Sequence, residues 1–246
     1  MRFFFLIAPL LCTVNALAER VTVAVAANFT KPLEALDELW QAQGDEALRI
    51  VSGSSGKLYA QSVAGAPYDV FLSADLNKPQ ALVNNGTVQG EAVVEYARGR
   101  LVLWYPAAER KPDAPLLRSV MMDSNMTVAL AAPRHAPYGE AAMAVMKRYA
   151  EAVEDGQGAR LVQGENVSQA YHFVASGAAQ AGFVALSQVE GLDEAHYFLI
   201  PTSWHEPIRQ GGVVLSDSDT ARRFMQFLKS DDARAVLTSF GYEAAP

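Results

Sequence analysis

Cysteine is nearly absent from this chain of 246 residues, where Cys12 is the only one. The protein therefore forms no internal disulfide and offers no set of thiolates to a metal. Basic clusters are missing too. Twenty Lys and Arg stand against twenty-seven Asp and Glu, the formal net charge is -7, and the positive residues are dispersed. That balance argues against a nucleic-acid partner, which rewards grouped Lys and Arg. No apolar run reaches the ~20 residues needed to span a bilayer. Internal repeats, low-complexity tracts and His-x-x-x-His pairs are likewise lacking.

The longest apolar stretch lies at the start. Arg2 precedes Phe3 to Leu11, which Pro9 interrupts, and Ala16-Leu17-Ala18 follows. A positive residue, a short apolar core and an A-x-A site make a secretory signal over residues 1–18, with cleavage before Glu19. Bulky Leu11 before Cys12 argues against lipid attachment at that cysteine. Cleavage removes Cys12 and Arg2, leaving a mature chain without thiols and with a charge of -8.

The rest has the composition of a globular protein, 50% hydrophobic and 19% charged, with enough apolar material for one large domain or two of ~100 residues each. Val21 to Ala27 is a continuous apolar run, as in a strand buried on both faces. Phe29, Leu33, Leu36, Leu39 and Trp40 then recur at helical spacing. Asn28 or Thr30 is positioned to cap that helix, with Pro32 in its first turn. Leu48–Val51 and Asp69–Ser73 read as further strands, separated by a helix carrying Leu58, Tyr59 and Val63. Such alternation predicts an α/β domain with a parallel sheet. A second unit repeats the pattern, with strands at Thr127–Ala132 and Ala181–Leu186 and helices over Tyr138–Val153 and Ser168–Ser176. Arg100–Tyr105 and Gly211–Leu215 are predicted strands at the joins, and helices are expected over Asp219–Lys229 and Asp231–Phe240.

Four strand-to-helix junctions carry the chemistry: Val25-Ala26-Ala27-Asn28-Phe29-Thr30, Ser52-Gly53-Ser54-Ser55-Gly56, Pro133-Arg134-His135-Ala136-Pro137-Tyr138-Gly139 and Glu165-Asn166-Val167-Ser168. The first N–H groups of a helix have no partner within it, and its dipole is positive there. An anion is held at such ends without a charged side chain. In open α/β sheets these ends lie where ligands bind. Asn28 and Ser55 add side-chain donors, unless they serve only as helix caps. Four ends from two domains would suit one tetrahedral anion.

With these junctions in view, the chain resembles the periplasmic molybdate-binding proteins of ABC importers from about Val21 to Tyr242. AANFTKPLEAL, SGSSGKLYAQ and AGAPYDVFLSAD carry the resemblance most specifically. APRHAPYG, ENVSQA, AGFVALS and FMQFLKSDDARAVLTSFGY support it. The resemblance implies a class II periplasmic-binding-protein fold of the α/β class. Each of its two lobes is a mixed, mainly parallel sheet flanked by helices, and the ligand lies between them. Lobe one is expected over 19–103 plus 208–246 and lobe two over 104–207, with the hinge near Leu101–Tyr105 and Pro207–Gly212. The resemblance also implies a ligand set of Ala27, Asn28, Ser55, Tyr138 and Val167, the last through its backbone N–H. Molybdenum would be held only as the oxyanion through these residues. Some relatives use a tyrosine hydroxyl where this chain has Ala185, and Tyr138 is the candidate to supply a hydroxyl instead. The implied protein is a periplasmic monomer with no cofactor, no enzymatic activity and no membrane insertion. It captures molybdate or tungstate and passes it to an inner-membrane permease.

The chemistry of the implied set agrees with that ligand. Molybdate near neutral pH carries no proton and needs donors only, whereas phosphate keeps a proton and benefits from an acceptor. Sulfate is also an unprotonated dianion, so sulfate, chromate or another tetrahedral oxyanion is the alternative within the same fold. A secreted serine hydrolase would need a histidine beside Ser55, and no motif pins His135, His172, His196 or His205 there. A metal-cation site would need more than the dispersed carboxylates Asp69, Asp75, Glu190, Asp193 and Glu194 with His196.

Overall fold

The structure is a computed structural model that describes residues 20–149 and 158–245. The predicted signal with Cys12, and the end of the helix expected to reach Val153, lie outside those residues. The chain forms two sheets. The first contains β1 (Thr22–Ala26), β2 (Arg49–Gly53), β3 (Val70–Ser73), β4 (Val94–Gly99), β10 (Ile208–Val214) and β11 (Glu243–Ala244), in the order β11-β4-β10-β3-β1-β2. The second contains β5 (Leu101–Trp104), β6 (Thr127–Ala131), β7 (Arg160–Gly164), β8 (Ala181–Ala185) and β9 (Tyr197–Leu199), in the order β7-β6-β8-β5-β9.

Both sheets are mixed. β1 pairs in parallel with β2 and β3, and β6 does so with β7 and β8. β10 runs antiparallel to β3 and β4, and β5 runs antiparallel to β8 and β9. The chain leaves the first sheet at Gly99 and enters the second at Leu101. Residues 101–103, expected at the edge of lobe one, thus hydrogen-bond in the second sheet. It returns through Pro207 into β10.

Alternation along β1 explains its unbroken apolar run. Val21, Val23 and Val25 face one side, against Phe29, Leu33, Leu36 and Trp40 of the segment running into α1 (Thr30–Ala42). Phe224, Phe227 and Leu237, from α8 (Asp219–Phe227) and α9 (Asp231–Ser239), close the same core. Ala24 and Phe71 face the other side, against Leu58 of α2 (Ser55–Val63) and Leu82 of α3 (Asn77–Asn84). Trp40 meets the Phe224 ring edge-on at 5.5 Å. Burying a side chain of this size contributes roughly 1.5–3 kcal/mol.

The second lobe is built alike. Its core joins Leu103, Val128, Leu130, Phe183 and Val184 of the strands to Leu117 of α4 (Ala114–Met122) and Val145 of α5 (Pro137–Met146). Ala170 and Val174 enter it from α6 (Val167–Ala175). The short α7 (Leu186–Val189) follows β8 directly. Gly182 lets α6 settle on the sheet, since a Cβ there would stand 2.6 Å from Val174 Cγ2.

Candidate functional site

The four junctions meet. A cavity between the sheets is lined by Ala27 and Asn28, by Ser54 and Ser55, by Ala136 to Tyr138, and by Asn166 and Val167. Ala26, Gly53 and Ala74 complete its wall, so no Asp, Glu, Lys or Arg lines it. Its accessible space is only about 10 Å³, which is the room a single water takes. Two larger hollows flank it. One, of about 400 Å³, is bordered by Asp75, Glu140, Glu206 and Arg209, and the other, of about 380 Å³, by Lys31, Glu34 and His172. Carboxylates in both walls make them poorer places for an anion than the small neutral cavity.

Each helix start is arranged so that N–H groups remain for a guest. Ser54 caps α2 by accepting from Lys57 N, and Asn166 caps α6 by accepting from Gln169 N at 3.0 Å. The caps serve third-position donors, and Ser55 and Val167 stand at the first position, where no intrahelical acceptor exists. In α5, Pro137 takes the first position and Tyr138 the second. The first junction differs from expectation. Residues Ala27–Phe29 form a 3₁₀ turn before α1, and neither Asn28 nor Thr30 caps that helix. Thr30 Oγ1 donates instead to Ala27 O at 3.2 Å and bonds Ser52 Oγ at 2.7 Å.

Asn28 and Ser55 are therefore not caps. Ser55 Oγ accepts from Ala74 N at 3.0 Å, which leaves its own hydrogen to donate. Asn28 Nδ2 donates to Gln210 Oε1 at 3.0 Å and to Tyr242 Oη at 2.8 Å. Gln210 and Tyr242 were not expected in the site. They lie 182 and 214 residues from Asn28, a separation that no local pattern reveals. Ser187 on α7 adds a bond from its hydroxyl to Asn28 O at 2.8 Å.

Tyr138 sends its hydroxyl across to the first lobe. A Cβ on Gly99 would overlap that oxygen and stand 2.8 Å from Gln210 Nε2. Burial first, and then the neighbouring Tyr242, push the Tyr138 phenol well above its ordinary pKa. Burial likewise pushes Tyr242 up to about 12, against the opposing bonds from Ser187, Asn28 and Tyr138. Both remain protonated donors at neutral pH. Ala185, at the end of β8, is fully buried and its N–H donates to Gln188 Oε1 at 3.0 Å. It does not line the cavity.

The lobes touch directly around these residues. Gly56 N donates to His135 O at 2.9 Å, and Ser168 Oγ donates to Ala27 O at 3.1 Å. Lys57 pairs with Glu165 at the rim. His135 thus contributes its main chain, and Ser55 Oγ bonds no histidine among the described residues.

A family model described as bacterial extracellular solute-binding protein matches residues 21–243. The chain belongs to this family. Relatives of this solute-binding protein include the molybdate-binding protein ModA of Rhodobacter capsulatus, 36% identical over 92% of this chain and 89% of that one. ModA of Azotobacter vinelandii is also 36% identical, over 92% and 91%. The solved periplasmic molybdate-binding protein of A. vinelandii superposes with a TM-score of 0.82 at 32% identity, covering 92% of this chain and all of that one. The two-lobe α/β fold expected from the sequence is borne out, and the family's role is solute capture rather than catalysis. Among the described residues no helix is long and apolar enough to cross a membrane.

Proposed function

We propose that this solute-binding protein captures molybdate, and also tungstate, between its lobes and delivers the anion to an ABC-type permease. One observation carries the reading. Four helix starts, two from each lobe, open onto a single small cavity without any charged side chain. Backbone N–H groups at Asn28, Ser55, Tyr138 and Val167, with the Ser55 hydroxyl, supply donors from opposite sides. Their dipoles stabilise a dianion in a dry site. No carboxylate stands ready to accept the proton of hydrogen phosphate, and an unpaired buried proton or lone pair costs roughly 1–3 kcal/mol. The relatives named for molybdate binding support the same ligand.

Binding works as a clamp. Ala27, Asn28 and Ser55 belong to one lobe, while Tyr138 and Val167 belong to the other. Only the closed arrangement completes the shell, so the anion favours closure. The strand pair β4–β5 and the return into β10 form the hinge. Release needs only reopening, and the ligand is not altered. One cleft per chain suffices, so the protein acts as a monomer, and the secretory signal expected over residues 1–18 supports a periplasmic location.

Calorimetric titration of the mature, ligand-free protein tests this. Molybdate and tungstate are expected to bind one to one, with sulfate and phosphate far weaker. Preferential sulfate binding would retain the clamp and overturn the ligand. Silence with all four would overturn both.

A further inference from the structure

The two hollows beside the cavity differ in place and in charge. Each shares wall residues with the cavity, Ala74 and Pro137 on one side, Ala27 and Asn28 on the other. The first is bounded by Glu206 to Arg209, where the chain returns into β10, so it lies against the hinge. Lys78 neutralises Asp75 there, and Glu95 neutralises Arg209. Glu140 and Glu206 remain as two exposed carboxylates without an ion pair among the described residues. The second hollow is bounded by Ser52 of β2 and by Tyr171 and His172 of α6. β2, and the β7 that leads into α6, lie at the ends of their sheets farthest from the crossover strands β4, β5 and β10. Opening about the hinge parts these edges most. The charged residues in this wall are Lys31 and Glu34, one of each sign.

Two bare negative charges against a balanced pair decide the approach. A dianion is repelled on the hinge side and admitted on the other. Lys31 makes no ion pair among the described residues. Its ammonium stands 5.9 Å from the centre of the Tyr171 ring, which belongs to the opposite lobe. Such a contact is weak at an exposed site, and it is lost when the lobes part, which frees Lys31 for an incoming anion. The floor of this hollow is closed by hydrogen bonds. Ser168 Oγ donates to Ala27 O at 3.1 Å while accepting from Gln188 Nε2, and Ser187 Oγ donates to Asn28 O at 2.8 Å. The bonds from Ser168 and Ser187 cross between the lobes and end on the main chain of the first anion-binding junction. Water replaces either partner as the lobes separate, so the net cost of breaking each bond is modest.

We propose that the anion enters and leaves through the hollow of Lys31, with Lys31 as the capture residue and the Ser168 and Ser187 hydroxyls as the gate behind it. The proposal rests on the oxyanion reading above and adds the route to the site and the residue that sets the on-rate. Lys31 does not line the cavity itself. It acts on the anion in transit, where a charge at the rim governs association and its dependence on salt.

The test measures the on-rate for sodium molybdate as the release rate divided by the dissociation constant. Release is followed by chasing bound radiolabelled molybdate with unlabelled molybdate, and calorimetry gives the constant. Lys31→Gln is expected to slow entry about fourfold at low salt, the effect of one charge on a dianion across about 10 Å of water. It should match wild type at about 1 M salt, where charges are screened within ~3 Å, and Lys31→Arg should retain the wild-type rate. A chain starting at Glu19 holds no cysteine, so His172→Cys and Glu206→Cys each place a single thiol on one hollow. A sulfonate-bearing thiol label at 172 is expected to slow entry, and a trimethylammonium label there to speed it, each by more than the same label at 206. A Lys31→Gln on-rate equal to wild type at low salt would overturn the capture role. Labels that act equally at both positions, or more strongly at 206, would overturn the route. Absence of molybdate binding to wild type would instead remove the oxyanion reading, and the route with it.

Discussion

Gly56 and His135 sit on opposite lobes and are joined by a backbone hydrogen bond of 2.9 Å, one residue away from Ser55. The approach is possible because position 56 has no side chain. A Cβ there would lie 3.1 Å from His135 Cα and 3.2 Å from its carbonyl oxygen. Since His135 meets the glycine with main-chain atoms, it cannot swing aside.

Gly56→Ala and Gly56→Val should therefore keep the lobes from closing fully. Position 56 lies in the first turn of α2 without a left-handed backbone. Alanine favours the helix by up to about 1 kcal/mol over glycine. The expected outcome is a split. Molybdate affinity falls, by about tenfold for Val, or ~1.4 kcal/mol, while the ligand-free melting temperature holds or rises for Ala. Calorimetry and thermal melts together check this, and unchanged affinity in Gly56→Val would show that closure does not need the contact.

Ser55→Ala should lower both stability and affinity. The hydroxyl accepts from the buried Ala74 N–H, so its removal strands that donor at a cost of roughly 1–3 kcal/mol. Binding should weaken by a similar ~1–3 kcal/mol as the hydroxyl's own hydrogen is lost to the anion. If melting temperature drops while titration curves stay the same, the hydroxyl serves Ala74 alone.

How far the sequence led is visible in these residues. Ser55 and Val167 were legible because a strand, a short polar turn and a helix are local patterns, and helix starts carry a positive end wherever they occur. The parallel strands of two mixed sheets then bring four such starts to one place by topology. Capping was misread at Asn28. Its side chain is claimed by Gln210 and Tyr242, and a contact across most of the chain outcompetes the local one. The join at residues 101–103 was placed on the wrong side because β4 and β5 are nearly one continuous strand. Only the partners, β8 and β9 for Leu101–Trp104, decide the sheet. The helix α4 begins with Asp113 capping Leu116 N and Pro115 in the first turn. That signal is local and was passed over.

Glu95 makes stability depend on acid. It stands on β4 with its side chain 11% exposed, and it accepts from Arg98 and from Arg209 of the hinge strand. Burial raises its pKa, but the two guanidiniums together outweigh burial and hold it below 4.5. A depressed native pKa adds stability above the unfolded value, and that stability disappears as pH falls through the native one. Glu95→Gln should thus melt lower than wild type at pH 7. The gap should narrow on acidification below pH 4.5, and a gap that stays constant with pH would assign the loss to packing rather than charge.

Gly99 offers a sharper test of closure, because the atom it faces belongs to the other lobe. Its backbone is not left-handed, so alanine is tolerated locally. The added Cβ nevertheless collides with the Tyr138 hydroxyl and presses on Gln210 Nε2. Only closed lobes bring Tyr138 to that point, so Gly99→Ala should penalise the closed state and weaken molybdate binding by tenfold or more, about 1.4 kcal/mol. Removing the hydroxyl relieves part of the clash. The double variant Gly99→Ala with Tyr138→Phe should therefore bind better than the two single losses predict when added, since residues in contact do not behave additively. Strict additivity in that cycle would place Tyr138 elsewhere in the bound state.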